Sequence, residues 1–438
     1  MLYLLSMAGL SINPSRSLCI FAMACSALLP PAFAQSALDP LLTLEECIQK
    51  ALASPSALSI ARLDRLITDR DQSIARAGLL PQASANLSSA YASPSLLNPA
   101  TFAFIPSNAI REYTGLGKLF LEIDTSGRIR AEIARARANQ QVARASVGIA
   151  ERDLKRAVSQ AYYRLLLARR LVGVVNSSLL ESQNFERRVK QLEAGGEAAR
   201  ADVVKASTQV AILQQTLTSA ELAATLANQD LATYWTADVD TVLNIQDMFD
   251  QPVAPLVDTS GQFTRRLEFS LLDAQKSGFQ ADAKRTKAQL LPQLSLNFNY
   301  GLDSYRVDWQ HRGYSAVASV TFPIFDWFKT LNASRQFTTK AQQVSDTRSV
   351  AERRYSQEYS AALTRVERLR QQIMQAQTQM SLAEEDFNLS QIRYEGGEGA
   401  AVDVVVAQNQ LVQARSSYYS NISNYLSAKL DLEVAAGR

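Results

Sequence analysis

Four short segments of this chain alternate apolar and polar side chains with a period of two. Gln82 to Tyr91 sets Ala83, Ala85 and Leu87 on one face, with Gln82, Ser84, Asn86 and Ser88 on the other. Tyr113 to Asp124 groups Tyr113, Leu119, Leu121 and Ile123. The alternation is cleanest in Gln293 to Tyr300, where Leu294, Leu296, Phe298 and Tyr300 oppose Gln293, Ser295, Asn297 and Asn299. Gly313 to Phe325 groups Tyr314, Ala316, Ala318, Val320, Phe322 and Ile324. Such runs predict strands of about ten residues with one apolar and one polar face. That length suits a tilted crossing of a hydrocarbon core. The same pattern fits a half-buried antiparallel sheet in a soluble domain.

The rest of the pattern is helical. No proline occurs from Ser107 through Gln251 or after Pro323. From Arg128 to about Leu192, apolar and small residues step by four and three: Ile129, Ile133, Ala136, Gln140, Ala143, Val147, Ala150, Leu154, Ala157, Ala161. Tyr355, Tyr359, Ala362, Val366, Leu369, Ile373, Ala376, Met380, Ala383 and Phe387 repeat the step later. A seam held over several heptads predicts coiled-coil packing. A helix of roughly 65 residues would be about 100 Å long, far more than a globular domain needs. Each ends at paired glycines, Gly195-Gly196 and Gly396-Gly397, which stop a helix and permit a turn. Asp202 and Asp403 then open returning helices, where a carboxylate meets the positive end of the dipole. These run to about Thr236 and Ala435.

The two halves carry the same phrase. Leu79-Leu80-Pro81-Gln82-Ala83-Ser84-Ala85-Asn86 recurs as Leu290-Leu291-Pro292-Gln293-Leu294-Ser295-Leu296-Asn297. In each half it follows an amphipathic helical stretch and opens a strand, so Pro81 and Pro292 mark helix-to-strand joints. Proline suits such a joint because it ends a helix and lacks an amide donor. The chain is therefore a duplication, with repeat one at 41–236, repeat two at 263–436, and a connector, 237–262, that holds Pro252, Pro255 and many aspartates.

Composition narrows the classes. A formal charge of +3 over 438 residues, with dispersed Lys and Arg, forms no basic patch for nucleic acid. Residues 1–34 read as a secretory signal: Arg16, the apolar stretch Leu18 to Leu29, then Ala32-Phe33-Ala34 as a small-x-small cleavage site. Cys19 and Cys25 fall inside it. Lipidation at Cys25 is the other reading, although no Leu stands three positions upstream. Past the signal only Cys47 remains, so no internal disulfide is expected. No run of 18 apolar residues follows, so any membrane crossing must be made by a barrel. The single histidine, His311, is placed in an external loop; with one cysteine it makes neither a zinc site nor a Cys/His nucleophile pair, and no cofactor is expected. Gly115-Leu116-Gly117-Lys118 lacks phosphate-loop spacing and lies within a strand.

A signal peptide, a duplicated helix–strand–strand–long helix–turn–helix unit, the Leu-Pro-Gln strand openers and the two Gly…Asp-Val turns resemble the TolC-like outer-membrane efflux protein family, across about residues 41 to 436. The resemblance implies a mostly α fold with transmembrane β: a homotrimeric 12-stranded β-barrel continuous with a long periplasmic α-helical barrel. Four strands cannot close a pore-forming barrel, whereas three chains supply twelve and closure removes the edges. It implies a non-enzymatic, passive exit duct in outer-membrane lipid, most of it in the periplasm. The duct would serve a periplasmic adaptor and an inner-membrane transporter, proton-driven or ATP-driven as in type I secretion. The tip turns Gly195, Gly196, Gly396 and Gly397 would form the adaptor-docking end. Asp202, Tyr394 and Asp403 fall where the family carries entrance-gate residues. Gly399 stands where the best-known member has an arginine tying neighbouring protomers, and Val406 where it has a second inward aspartate. Arg200 is the candidate substitute for that arginine. Helix capping by Asp202 and Asp403, and seam packing by Tyr394, seven residues after Phe387, are the structural alternatives. A secreted or surface coiled-coil adhesive protein without transport is the rival function; it leaves four matched amphipathic strands unexplained. The exported substrate is not legible.

Overall fold

A computed structural model describes residues 41–91, 111–249 and 262–437. The signal reading of 1–34, the loop from Ala92 and the second half of the connector lie outside the described residues. Two short helices, α1 (Leu44–Ala53) and α2 (Ala57–Ala77), lead into strands β1 (Gln82–Tyr91) and β2 (Arg111–Ile123). Next come a 67-residue helix, α3 (Arg128–Ala194), and its return, α4 (Arg200–Ala232). The second half repeats this order with α5 (Leu267–Ala288), β3 (Gln293–Ser304), β4 (Arg312–Thr321), a second 67-residue helix α6 (Lys329–Glu395), and α7 (Ala401–Ala435). Both long helices reach about 100 Å at the standard rise.

Among the described residues the strands form one antiparallel sheet in the order β1-β2-β3-β4, with β1 and β4 at its open edges. Three strand boundaries differ from the sequence expectation. β2 starts at Arg111 rather than Tyr113. β3 continues past Tyr300 to Ser304 because Gly301, at φ 152°, lets the strand pass where a Cβ would lie 2.0 Å from the Gly115 carbonyl oxygen. β4 stops at Thr321 rather than running to Phe325, since Pro323 has no amide to continue the ladder. His311 closes a short turn, Trp309–His311, between β3 and β4.

The joints also need correcting. α2 and α5 end at Ala77 and Ala288, four residues before Pro81 and Pro292, so the prolines do not themselves end the helices. A tightened last turn does so, with amides of Leu79 and Leu80 donating to Arg76 and Ala77, and those of Leu290 and Leu291 to Lys287 and Ala288. The prolines then hold the extended backbone that opens each strand, and the Pro292 carbonyl accepts the Thr125 hydroxyl at 2.9 Å.

The α6 seam follows the heptad reading. Tyr359, Ala362, Val366, Ile373, Ala376 and Phe387 are buried, and Tyr355, Leu369, Met380 and Ala383 are half-buried. α3 buries more than one stripe because α1, α2, α4, α5 and α7 all pack on it. Midway along, the main core joins α3, α6 and α7 to α1 and to Leu243, Ile245 and Phe249 of the connector. The described half of that connector is thus structural: Leu42 bridges to Ile245, and the buried Tyr162 hydroxyl donates to the Gln246 carbonyl at 2.6 Å. A second core, around Phe185, Val189, Val203, Phe387, Tyr394, Val404 and Leu411, closes the far end of the helices.

Candidate functional site

That far end is built by the two predicted turns. In the first, Gly196 adopts φ 79°, its amide reaches the Glu193 carbonyl, and the Glu197 amide reaches Leu192 at 2.8 Å. In the second, Gly397 adopts φ 77°, with its amide on Tyr394 and the Glu398 amide on Arg393 at 2.9 Å. Both are Schellman closures, which need a left-handed residue and so select glycine. Gly195 and Gly396 are helix-terminal residues with ordinary negative φ.

The carboxylates behave differently in the two turns. Asp403 sits in the first turn of α7 and its side chain reaches back to accept the Ala400 amide at 3.3 Å, a genuine cap. Asp202 occupies the matching place in α4, yet its carboxylate lies 3.5 Å from Lys205 Nζ and caps nothing. Both still meet the positive end of their helix. Asp403 is exposed, as are Val402 and Val406 beside it. Arg200 is also exposed, and its guanidinium lies 3.6 Å from Glu193 across its own turn, not beside either aspartate.

Tyr394 points inward. It packs edge-to-face on Phe185 with ring centroids 5.2 Å apart, and its hydroxyl is buried without a hydrogen-bond partner. Burial, and after it the nearby charge of Asp202, push that hydroxyl's pKa upward. Within the chain it is a core residue, as its seven-residue step from Phe387 indicates. Gly399 packs its backbone on the end of α6, where a Cβ would lie 3.2 Å from the Tyr394 amide nitrogen. An arginine at this position would require the turn to give slightly.

One arrangement escaped the sequence. Just above the tip core lies a polar layer joining the two helical hairpins. The Gln408 amide donates to the Ser178 carbonyl at 2.9 Å, and Gln209 donates to Asn409 at 2.7 Å. The Arg415 guanidinium bridges Glu181 of α3 at 3.2 Å and Glu384 of α6 at 3.0 Å. Partners that lie on different helices, most of them 200 or more positions apart, leave no local signature. An open groove of about 810 Å³ between α6 and α7 runs alongside, lined by Gln375, Gln379, Asp386, Val406, Asn409 and Gln413 among others. Among the described residues no group of three or more His, Cys, Asp or Glu could hold a metal ion, and no helix is long and apolar enough to cross a membrane.

The arrangement has known counterparts. The model of the outer membrane efflux protein family matches residues 47–237 and 265–438, one match per repeat and most of the chain. The chain belongs to the outer membrane efflux protein family. Its resemblance to TolC-like channels is thereby established, as is its place in the outer membrane. The pyoverdine export outer membrane protein OpmQ of Pseudomonas aeruginosa is 24% identical over 403 residues, spanning 90% of this chain and 85% of that protein. The cobalt-zinc-cadmium resistance protein CzcC of Cupriavidus metallidurans is 22% identical over 420 residues, or 93% of each. Among solved structures, the CmeC outer membrane channel of Campylobacter jejuni matches with a TM-score of 0.80 at 17% identity, over 90% of this chain and 85% of that one. This efflux protein thus has the fold of an outer-membrane channel, a strand domain continuous with long helices.

Proposed function

We propose that this efflux protein is the passive, non-enzymatic exit duct of a tripartite export system, working as a homotrimer with a periplasmic adaptor and an inner-membrane transporter. The observation that carries the proposal is an open-edged four-stranded sheet continuous with two 67-residue helices. Unpaired edges are not tolerated in hydrocarbon, so the sheet must close with other copies. Three copies give twelve strands and a pore. The polar Gln, Ser and Asn of the strands then face the water-filled lumen and the alternating apolar residues face lipid. Family membership supports this over a secreted coiled-coil adhesin, which would have no use for the sheet.

The helical tips are the periplasmic entrance. Three exposed Asp403 carboxylates form a ring that focuses negative potential in the constriction and favours cations. Asp202 and Tyr394 set the tip's shape from behind, and Arg200 and the four tip glycines lie on the surface offered to the adaptor. The transporter sets the cargo: one relative is named for pyoverdine export and another for resistance to cobalt, zinc and cadmium, on the same duct architecture. Purified protein in planar bilayers tests the proposal. Heat-modifiable trimers with discrete channel conductance are expected. A soluble elongated molecule that leaves the bilayer silent would overturn it.

A further inference from the structure

The apolar face of the sheet carries a hollow that has no cause inside the chain. On β2 that face reads Ile123, Leu121, Leu119, Gly117, Gly115, Tyr113 and Arg111, so two glycines interrupt a bulky row. Over them opens a groove of about 750 Å³, walled by Leu87, Tyr300 and Leu302 and reaching Trp309 at the loop end. Glycine inside a strand weakens it, and marks a bulge, a bend or a place where something approaches closely. Neither Gly115 nor Gly117 takes left-handed backbone, and at each an added Cβ would lie 3.6 Å from its nearest neighbour, an ordinary contact. Gly301 is different, since its backbone and the Gly115 carbonyl both demand glycine. The two glycines of β2 are therefore explained by neither conformation nor crowding.

The second hairpin fills the same place. Counted from the glutamine that opens each, Ala85 faces Gly117 and Leu87 faces Gly115 in the first, whereas Leu296 faces Ala318 and Phe298 faces Ala316 in the second. Charge is sorted around the hollow. Arg111 heads the glycine row at its loop end, and Arg312 opposes Leu302 on the same face; both are exposed. Glu112 and Asp303 alternate onto the opposite face, where Asp303 accepts the Thr114 hydroxyl at 3.3 Å. Asp308, in the turn, accepts the Gln310 amide at 3.0 Å. From Gly117 to Arg111 the strand covers about 20 Å, which is about 14 Å of depth at a tilt of about 45°. That is close to half of a hydrocarbon core about 30 Å thick. The long helices leave from the other end of the strands, so the groove spans the outer half of the core and the arginines stand at its outer rim.

We propose that the groove seats an acyl chain of lipid A, the phosphorylated glycolipid of the outer leaflet, with Arg111 and Arg312 meeting its phosphates. The inference rests on the membrane-spanning duct proposed above and adds a ligand to its lipid face. An acyl chain lying along Gly117 and Gly115, between Leu87 and Tyr300, supplies the contacts that the missing side chains leave unmade. Guanidinium groups grip phosphate in a fixed, often bidentate geometry. At the hydrocarbon edge that attraction is screened less than in water. A zwitterionic phospholipid could fill the groove but satisfies the arginines poorly, because its own amine already balances its single phosphate.

Native mass spectrometry of the full-length protein tests this, on heat-modifiable trimers in mild detergent offered diphosphoryl, hexa-acylated lipid A and phosphatidylethanolamine at equal concentration. The unmutated trimer is expected to retain lipid A in preference. Gly115→Val with Gly117→Val fills the groove and should lower lipid A retention about tenfold, as the loss of roughly two buried methylenes would. Valine suits a strand, and its Cβ has room at both places. Arg111→Gln with Arg312→Gln should lower lipid A retention by a similar factor and leave phosphatidylethanolamine unchanged; this pair carries the test if the valine pair does not assemble. Ala316→Val with Ala318→Val, at the matching places of the second hairpin, should change neither lipid. Conducting trimers that hold lipid A no better than phosphatidylethanolamine overturn the inference and leave the duct standing. So does lipid A retention that survives the valine or the glutamine pair, or that falls equally with the second-hairpin pair. Absence of trimers in the unmutated protein defeats the duct itself.

Discussion

Tyr394 separates a packing role from a hydrogen-bonding role at the helical tips. Its ring is 7% exposed, lies in the tip core and meets Phe185 edge-to-face at 5.2 Å. Truncating a buried aromatic residue costs about 3–5 kcal/mol, of which the edge-to-face pair accounts for about 1 kcal/mol. The tip core is a separate cluster from the main core, so the loss falls on the last turns of the hairpins rather than on the whole chain. A local penalty of about 3 kcal/mol raises the population of opened tips on the order of 100-fold. Tyr394→Ala should therefore increase leak conductance in planar bilayers and speed amide exchange across both turns. Tyr394→Phe should do neither. The hydroxyl is buried and unpartnered, and deleting an unsatisfied polar group is neutral or stabilises by about 1 kcal/mol. If Tyr394→Phe opened the channel as much as Tyr394→Ala, the hydroxyl would be a link between protomers and the packing account would be refuted.

Asp403→Ala should weaken block of the channel by divalent cations, because it removes one carboxylate per copy from the ring; unchanged block in bilayer recordings would exclude the ring. Burial opposes charge on Glu268, but hydrogen bonds from Arg152 and Arg266 hold its pKa at about 2, below the ordinary 4.5. A depressed carboxyl contributes stability above pH 4.5 that fades as pH falls towards 2, so the melting advantage of the native protein over Glu268→Gln should shrink across that window and stay flat above it. Phe328, with φ 59°, holds the left-handed position that Gly127, φ 80°, holds in the first half. Phe328→Gly should raise stability by about 1 kcal/mol in denaturant melts, since left-handed backbone costs a side-chain-bearing residue roughly 1–2 kcal/mol and glycine little.

Most of the architecture was legible because repetition amplifies weak signals. A single alternating run such as Gln82 to Tyr91 is ambiguous, but its recurrence at Gln293 at the same distance from a proline is not. The α6 heptads were accurate because one stripe decides burial there. α3 was read less fully because five other elements pack around it, and no single period describes such a surface. The connector's share in the core is not legible for the opposite reason: Leu243, Ile245 and Phe249 are core residues in a segment whose aspartates and prolines point only to a link. The tip turns were readable because left-handed backbone demands glycine. The polar layer above them was not, because Glu181, Glu384 and Arg415 meet only after folding.

That polar layer lies where the hairpins pass from the main core to the tip core. Apolar packing is extensive within the main core and within the tip core, while between them the hairpins are joined by a smaller apolar cluster, Leu179, Val210 and Leu213 with Leu217 and Val412, and by directional contacts: Gln408 on Ser178, Gln209 on Asn409, and Arg415 between two glutamates. Directional contacts have a few discrete arrangements and strengths that depend on water and salt, whereas an interdigitated apolar seam resists sliding everywhere. With a smaller apolar cluster than either core, the layer is where a shift of α6–α7 against α3–α4 would cost least. Arg415 restrains that shift because it holds both partners at once from a largely buried position.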